Sequence, residues 1–357
     1  MTHVETTSPV APEIRASHVG TQGDGPVEAA ASTMSKKRKA MIAALVAALL
    51  ILALLFVWYL MNRKPLSELP GLSTTKLPHY DLSIYGATKP LGVAVTPSGD
   101  RIYVTESDGT RLVRVYDRGG KQTGTLKPPT STGPAHLPMY VAINPTTQDV
   151  YVSDRATSAI YVYDAKGTYL RAFAPKGKIA GKFAPMGLAF GPDGSLYATD
   201  VGGASTKNHK VVVFGPDASV VREISAQGTM AFPNGIVLDS RGNINVADSN
   251  NGRLLVFDKS GKMLSTISPG VGEGDLGMPR GLAVDDAGRL FVVDTADHMV
   301  RLYSIDKSKV TPTYIGSFGD EGQLDGTFEY PNGIATDKRA HVYITDRENN
   351  RVQVWGY

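Results

Sequence analysis

The sequence of 357 residues predicts an all-β chain: a six-bladed β-propeller with four antiparallel strands per blade, preceded by one transmembrane α-helix and a disordered N-terminal tail. Three observations predict it. A proline followed by a short apolar run recurs six times, at Pro90, Pro138, Pro185, Pro233, Pro279 and Pro331, with spacings of 46 to 52 residues. Each proline is followed, 15 or 16 residues on, by an acid that closes a second strand-like run. Finally, residues 40–61 form a stretch of 22 without a single charge. A repeat of 40–50 residues carrying several short strands is the sequence mark of propeller blades.

Residues 1–39 are rich in Thr, Ser, Ala, Pro and Glu without apolar periodicity, and are expected to form a disordered cytoplasmic tail ending in the basic flank Lys36, Lys37, Arg38, Lys39. Residues 40–61 are expected to span the bilayer as a helix, because at about 1.5 Å per residue they match the ~30 Å hydrocarbon core. Trp58 and Tyr59 stand near the far end, where amphipathic rings favour the interface. A cleaved signal peptide has a shorter apolar run and a small-residue cleavage site. Four basic residues before the span, against Arg63, Lys64 and Lys76 after it, favour an inside N-terminus and an extracytoplasmic body. Residues 62–78, with three prolines, read as a linker, and residues 79–357 as the propeller.

Each unit repeats one internal order. The apolar run after the proline is too continuous for a half-wet strand and is expected to be innermost. Turns such as Pro192-Asp193-Gly194 and Asp286-Ala287-Gly288 follow it. The second strands end in Val104-Thr105-Glu106, Val152-Ser153-Asp154, Ala198-Thr199-Asp200, Val246-Ala247-Asp248, Val293-Asp294 and Ile344-Thr345-Asp346. Third strands alternate, as in Ile160-Tyr161-Val162-Tyr163, and the fourth forms the outer edge. The sixth unit stops at its third strand, so the segment Tyr80-Asp81-Leu82-Ser83-Ile84-Tyr85 is expected to supply its missing outer strand and close the ring.

The segments Phe318-Gly319-Asp320-Glu321-Gly322 with Gly326-Thr327-Phe328-Glu329-Tyr330-Pro331-Asn332-Gly333, and Val246-Ala247-Asp248-Ser249-Asn250-Asn251-Gly252-Arg253, resemble the signature of NHL-repeat propellers. The resemblance covers about residues 79–357. It departs at Tyr140, which replaces the anchor glycine of the second unit, and at Gly202-Gly203-Ala204-Ser205-Thr206, which lengthens a loop in the third. It implies a binding platform in most members and an enzyme in a few.

Composition narrows the chemistry. With no cysteine there is no disulfide scaffold, no Cys-ligated metal and no thiol nucleophile. Residues 1–78 hold 8 basic and 5 acidic residues of the chain's 37 and 34, which leaves a neutral body of 29 against 29, unsuited to nucleic acid. The six strand-end acids read as caps on backbone N–H groups, since they recur at one place in every unit. The resemblance brings amidating lyases, with three histidines on zinc, into view. Here, however, Leu91, Met139, Met186, Asn234, Arg280 and Asn332 follow the prolines, and none is His. His79, His136, His209, His298 and His341 fall elsewhere in the units. Asn234 and Asn332, in Pro-Asn-Gly, resemble the metal-binding Asn-Gly of gluconolactonase-type hydrolases and make calcium the metal to consider, although no acidic partner stands at the other axial positions. No Gly-x-Ser-x-Gly elbow or His-Ser-Asp cluster is visible.

No cofactor and no catalytic residue is therefore predicted. The expected binding surface is the propeller mouth, where the starts of the inner strands and the loops between second and third strands share one face. Asn234, Arg280 and Asn332 are placed there beside Arg155, Asn250, Arg347 and Asn349. Amides and guanidiniums on a concave end suit a polar or anionic partner, protein or small molecule. The function expected is that of a membrane-anchored extracytoplasmic binding module; the alternative is a metal-dependent hydrolase or lyase of the gluconolactonase or amidating-lyase type.

Overall fold

The computed structural model describes residues 35–62, 77–129, 136–202, 208–226, 230–270, 273–306 and 308–357. The chain divides into two units, residues 1–73 and 74–357.

Among the described residues of the first unit, one helix, α1, runs from Lys36 to Asn62. It begins four residues before the span expected at 40–61, so the basic flank is helical rather than part of the tail. The reason is local: Ser35 stands at the N-cap, its Oγ accepting the Arg38 amide at 3.4 Å and its carbonyl accepting the Arg38 and Lys39 amides. Lysine and arginine are themselves good helix formers. Met41, Ile42, Leu50 and Ile51, which point in four different directions around the axis, are all exposed, so the described part of the helix is apolar on every side rather than amphipathic. It is long and apolar enough to cross a bilayer. The tail at 1–34 and most of the linker at 62–78 lie outside the described residues.

The second unit is the six-bladed propeller. Six inner strands start at the six prolines: β2 Pro90–Val95, β6 Pro138–Ile143, β10 Pro185–Phe190, β14 Pro233–Leu238, β18 Pro279–Val284 and β22 Pro331–Thr336. Proline opens a strand without loss because its missing N–H would have no ladder partner there. The second strands end at the six acids: β3 Ile102–Glu106, β7 Val150–Asp154, β11 Leu196–Asp200, β15 Ile244–Asp248, β19 Arg289–Asp294 and β23 His341–Asp346. The third strands are β4 Val113–Tyr116, β8 Ala159–Tyr163, β12 Lys210–Phe214, β16 Arg253–Phe257, β20 Met299–Ser304 and β24 Arg351–Gly356. The outer strands are β5 Gln122–Leu126, β9 Tyr169–Ala172, β13 Val220–Ile224, β17 Met263–Ile267 and β21 Thr313–Phe318, with β1 His79–Tyr85 serving blade 6.

Every blade is a four-stranded antiparallel meander, and the sixth has the order β1-β24-β23-β22. Ile84 opposite Val352 and Tyr85 opposite Arg351 fix its register, with a bulge at Asp81 between Tyr80 and Leu82. The two ends of the propeller thus share one sheet, which removes the free edge along which a ring would open. Inner strands pack each against the next around the axis, β22 against β2 included.

Six apolar cores fill the six interfaces between blades, for example Tyr103, Val115, Val141, Val152 and Tyr163 between blades 1 and 2. Close approach of the inner strands depends on glycine. A Cβ on Gly235 would lie 2.1 Å from the Arg280 carbonyl oxygen, and one on Gly333 would lie 2.3 Å from that of Leu91. Hydroxyls complete the joint. Thr105, Ser153, Thr199 and Thr345 donate to the carbonyls of Met139, Met186, Asn234 and Leu91, each in the next blade, at 2.6–2.8 Å. Blades 4 and 5 carry Ala247 and Val293 there, and their hydroxyl moves to the far side of the acid. Ser249 donates to Pro279 O at 2.5 Å and Thr295 to Pro331 O at 2.6 Å.

Candidate functional site

In every blade the pairing of inner and second strands slips between the proline and the residue three positions on. The two residues within that slip sit in a bulge, which re-aims side chains out of the sheet. These are the positions of Leu91, Met139, Met186, Asn234, Arg280 and Asn332, and the glycine or Tyr140 after them. The mouth residues are therefore set by backbone geometry common to all blades, while their chemistry differs from blade to blade.

The first three blades close their share of the mouth. Leu91, Met139, Tyr140, Met186 and Val201 form a buried apolar cluster with Phe232 packed against it. Tyr140 occupies the axis, where a cavity of about 50 Å³ is ringed by Val93, Val141, Leu188, Ile236, Leu282 and Ile334, one from each inner strand. Its phenol oxygen is buried without a partner. Burial pushes the Tyr140 pKa up, and the positive charge of Arg280 opposes the shift.

Blades 5 and 6 leave theirs open. A cavity of about 250 Å³ is lined by Met278, Arg280, Thr295, Ala296, Tyr330, Asn332 and Arg347. Arg280 Nη2 touches Met278 Sδ at 3.5 Å, and Arg280 Nε is buried without a hydrogen-bond partner. Asn332 is 1% exposed, yet neither Oδ1 nor Nδ2 of its amide has a partner. Arg347 pairs through Nη1 with Glu348, whose other oxygen meets Lys89 Nζ at 3.1 Å. No carboxylate lines the cavity among the described residues.

The other expected mouth residues are committed elsewhere. Asn234 donates through Nδ2 to Ser249 Oγ at 2.7 Å and to Phe232 O at 3.1 Å. Arg155 lies 4.7 Å from the centre of the Phe232 ring, with Nη1 against Met186 Sδ at 3.9 Å. Asn349 donates to Gly322 O and Asp346 Oδ2, both at 2.9 Å. Asn250 is exposed on its turn. The structure brings Arg280, Asn332 and Arg347 together and distributes the other four around the blade ends. Met278, Thr295 and Tyr330, which sequence reasoning did not single out, complete the cavity; Tyr330 is half-exposed at its rim.

The strand-end acids act on backbone. Asp294 accepts the Gly277 and Met278 amides, both at 2.8 Å, just ahead of Pro279. Asp248 accepts Ala231 N at 2.6 Å and Asp346 accepts Glu329 N at 2.7 Å in the same way. A third-strand arginine neutralises most of them: Arg114 on Glu106, Arg253 on Asp248, Arg301 on Asp294 and Arg351 on Asp346. In blade 3 the cation is Lys210, 4.0 Å from Asp200 Oδ2, and burial raises the Asp200 pKa. Among the described residues no group of three His, Asp or Glu could hold a metal. The surroundings of Asn332 do not fit calcium, since two guanidiniums and no carboxylate border the cavity.

The NHL repeat matches residues 230–257 and 328–355, which are blades 4 and 6 without their outer strands. The chain is 33% identical over 75 residues to NHL-repeat-containing protein 4 of Homo sapiens, covering 21% of this chain and 57% of that protein. It is 43% identical over 49 residues to the E3 ubiquitin-protein ligase TRIM71 of Gallus gallus, covering 12% of this chain and 6% of that one. The chain thus spans only part of the curated relatives it matches. Among solved structures, virginiamycin B lyase from Staphylococcus aureus superposes with a TM-score of 0.55 at 14% identity, over 78% of this chain and all of that one, a likeness of fold alone. The chain is a six-bladed β-propeller. It carries NHL repeats.

Proposed function

We propose that this protein is a membrane-anchored, extracytoplasmic NHL-repeat propeller that acts as a binding module, taking its partner at the mouth over blades 5 and 6. One observation carries the reading: half of the mouth is sealed by Leu91, Met139, Met186 and Tyr140, while the other half holds a buried Asn332 amide and a buried Arg280 Nε without partners. Unsatisfied buried polar atoms cost stability in the free protein, so a partner that satisfies them gains at the mouth what folding left unspent. Packing alone gives no reason for an arginine at that position. The apolar helix α1 supports anchoring, and the basic residues before it support an inside N-terminus.

Two experiments test this. A photo-crosslinking side chain at the half-exposed Tyr330 should capture a partner in intact membranes, and Arg280→Ala should abolish that capture. The same probe at Tyr169, on the outer edge of blade 2, should capture nothing that depends on Arg280. Capture that ignores Arg280→Ala moves the site to another face. Protease added outside intact cells should remove the propeller and leave a tag at Met1 protected; the reverse pattern overturns the topology.

A further inference from the structure

The partners of Asn234 and Asn332 expose what the mouth is missing. Both residues follow an inner-strand proline and precede a glycine, and both are buried. Asn234 is satisfied because Ser249, the residue after the strand-end acid, puts a hydroxyl 2.7 Å from its amide nitrogen. In blade 6 the residue after the acid Asp346 is Arg347, which has no acceptor to offer. The Asn332 Nδ2 lacks the hydroxyl acceptor that Asn234 has, its Oδ1 is unpaired as well, and the loss of the hydroxyl coincides with the gain of a second guanidinium at the same cavity.

We infer that the cavity between blades 5 and 6 is a carboxylate pocket, in which Arg280 and Arg347 supply the charge and the Asn332 amide the orienting hydrogen bond. The inference rests on the proposed mouth site and names the chemistry of its occupant. Donors outnumber acceptors in the cavity: two guanidiniums and the Asn332 Nδ2 stand against the Asn332 Oδ1, with no lining carboxylate among the described residues. An occupant must therefore bring acceptors and negative charge, which a planar carboxylate offers a guanidinium in matching geometry. Glu348 occupies one Nη of Arg347, but its other oxygen is shared with Lys89, and Arg280 has no acidic partner among the described residues. Met278 and Tyr330 give the pocket an apolar wall and an aromatic rim, so the carboxylate should be borne on a body of apolar or aromatic character. A cavity of about 250 Å³ admits a group of amino-acid size and excludes a folded surface. Tyr140 and its apolar neighbours block the axis below, so entry is from the mouth.

The carboxylate could belong to a free organic acid or to the C-terminus of a peptide, and the test separates the two. The full chain, purified in detergent, is titrated with hippurate, its neutral isostere hippuramide, an unrelated pentapeptide ending in Gly-Phe with a free C-terminus, and the same peptide amidated. Thermal shift and calorimetric titration are the readouts. Hippurate should raise the melting temperature and hippuramide should not. Arg280→Gln should weaken the acid at least tenfold, as expected for loss of a charged hydrogen bond. Asn332→Leu, which removes the orphaned amide at similar volume, should also weaken it without lowering the melting temperature of the free protein. Preference for the free-terminus peptide over hippurate assigns the pocket to a chain end, and the converse assigns it to small acids. Equal response to acid and amide, or binding unaffected by both variants, overturns the pocket. Should the acids fail while Tyr330 crosslinking remains dependent on Arg280, the mouth stands as the partner site and only its carboxylate chemistry falls.

Discussion

The amide of Phe232 donates to Nδ1 of His209 at 3.0 Å, joining the head of the third strand in blade 3 to the residue ahead of the inner-strand proline in blade 4. The same joint recurs between His298 Nδ1 and Tyr330 N at 3.2 Å, and across the ring closure between Asn350 Oδ1 and Lys89 N at 2.9 Å. The held residue is strained in each case: Phe232, Tyr330 and Lys89 have φ of 57°, 50° and 45°. A non-glycine residue at positive φ costs about 1–2 kcal/mol, which the latch helps to offset.

Because His209 accepts through Nδ1, only its neutral ring makes the latch. Burial lowers its pKa below the ordinary 6.5, with hydrogen bonding and nearby carboxylates working the other way. The unfolded chain then binds the proton more readily than the fold. Stability is full above pH 6.5 and declines as pH falls from there toward the folded-state pKa. His209→Asn, which copies Asn350, keeps an acceptor and removes the titration. Its melting temperature should vary less with pH between about 5 and 7 than that of the parent. Identical pH profiles would show that His209 does not titrate with folding.

The hydroxyl joints set a second expectation. Thr345 Oγ1 donates to Leu91 O at 2.8 Å and accepts Gly333 N at 2.6 Å, at the seam where blade 6 meets blade 1. Thr345→Val keeps the shape and leaves a buried carbonyl and a buried amide unpaired. The cost should be about 1–3 kcal/mol in urea unfolding. Thr345→Ser should recover most of it, and a valine variant as stable as the parent would remove the seam from the account.

Tyr140 supports a prediction against the repeat. Five blades have glycine at this place, so Tyr140→Gly restores the motif. It also empties the axis of a ring that is 8% exposed and packed with Leu91, Met139 and Met186. Deleting a buried aromatic costs about 3–5 kcal/mol, to which glycine adds backbone entropy. The variant should melt well below the parent; an equal or higher melting temperature would mean that Tyr140 fills no structural need.

The repeat was legible because its punctuation is chemical. Proline cannot donate to a ladder and the strand-end acid must find N–H groups, so inner strands begin at Pro90 or Pro331 and second strands end at Glu106 or Asp346, as the spacing predicts. Relations that cross between blades were harder to read. Ala247 and Val293 look like losses until Ser249 and Thr295 are seen to carry the hydroxyl past the acid. Asn234 and Asn332 are indistinguishable within Pro-Asn-Gly, and their difference lies in Ser249 and Arg347, more than a dozen residues away. The uncharged run at 40–61 marks the apolar part of α1, whereas the start of the helix depends on Ser35, which caps it ahead of the basic flank.

Closure by β1 makes the last prediction. Ile84 is 2% exposed and packs with Val352, Tyr116 and Tyr343, joining blade 6 to blade 1. Tyr80 meets Trp355 edge-on with ring centres 6.2 Å apart, and Trp355 in turn lies on Phe318 and Phe328. Deleting residues 79–86 from the full chain would strip β24 of one partner along its whole length and uncover Trp355. An unpaired, flat, apolar strand is a template for association with another chain. The deleted protein should melt at lower temperature and form concentration-dependent oligomers by light scattering. Ile84→Ala, which keeps the strand and removes only its buried side chain, should cost about 2–5 kcal/mol while leaving the protein monomeric. The contrast separates the two contributions of β1: its backbone keeps neighbours off the edge, and its side chains hold the first and last blades together. A deletion variant that stays monomeric and as stable as the parent would leave ring closure to the inner strands β2 and β22 alone.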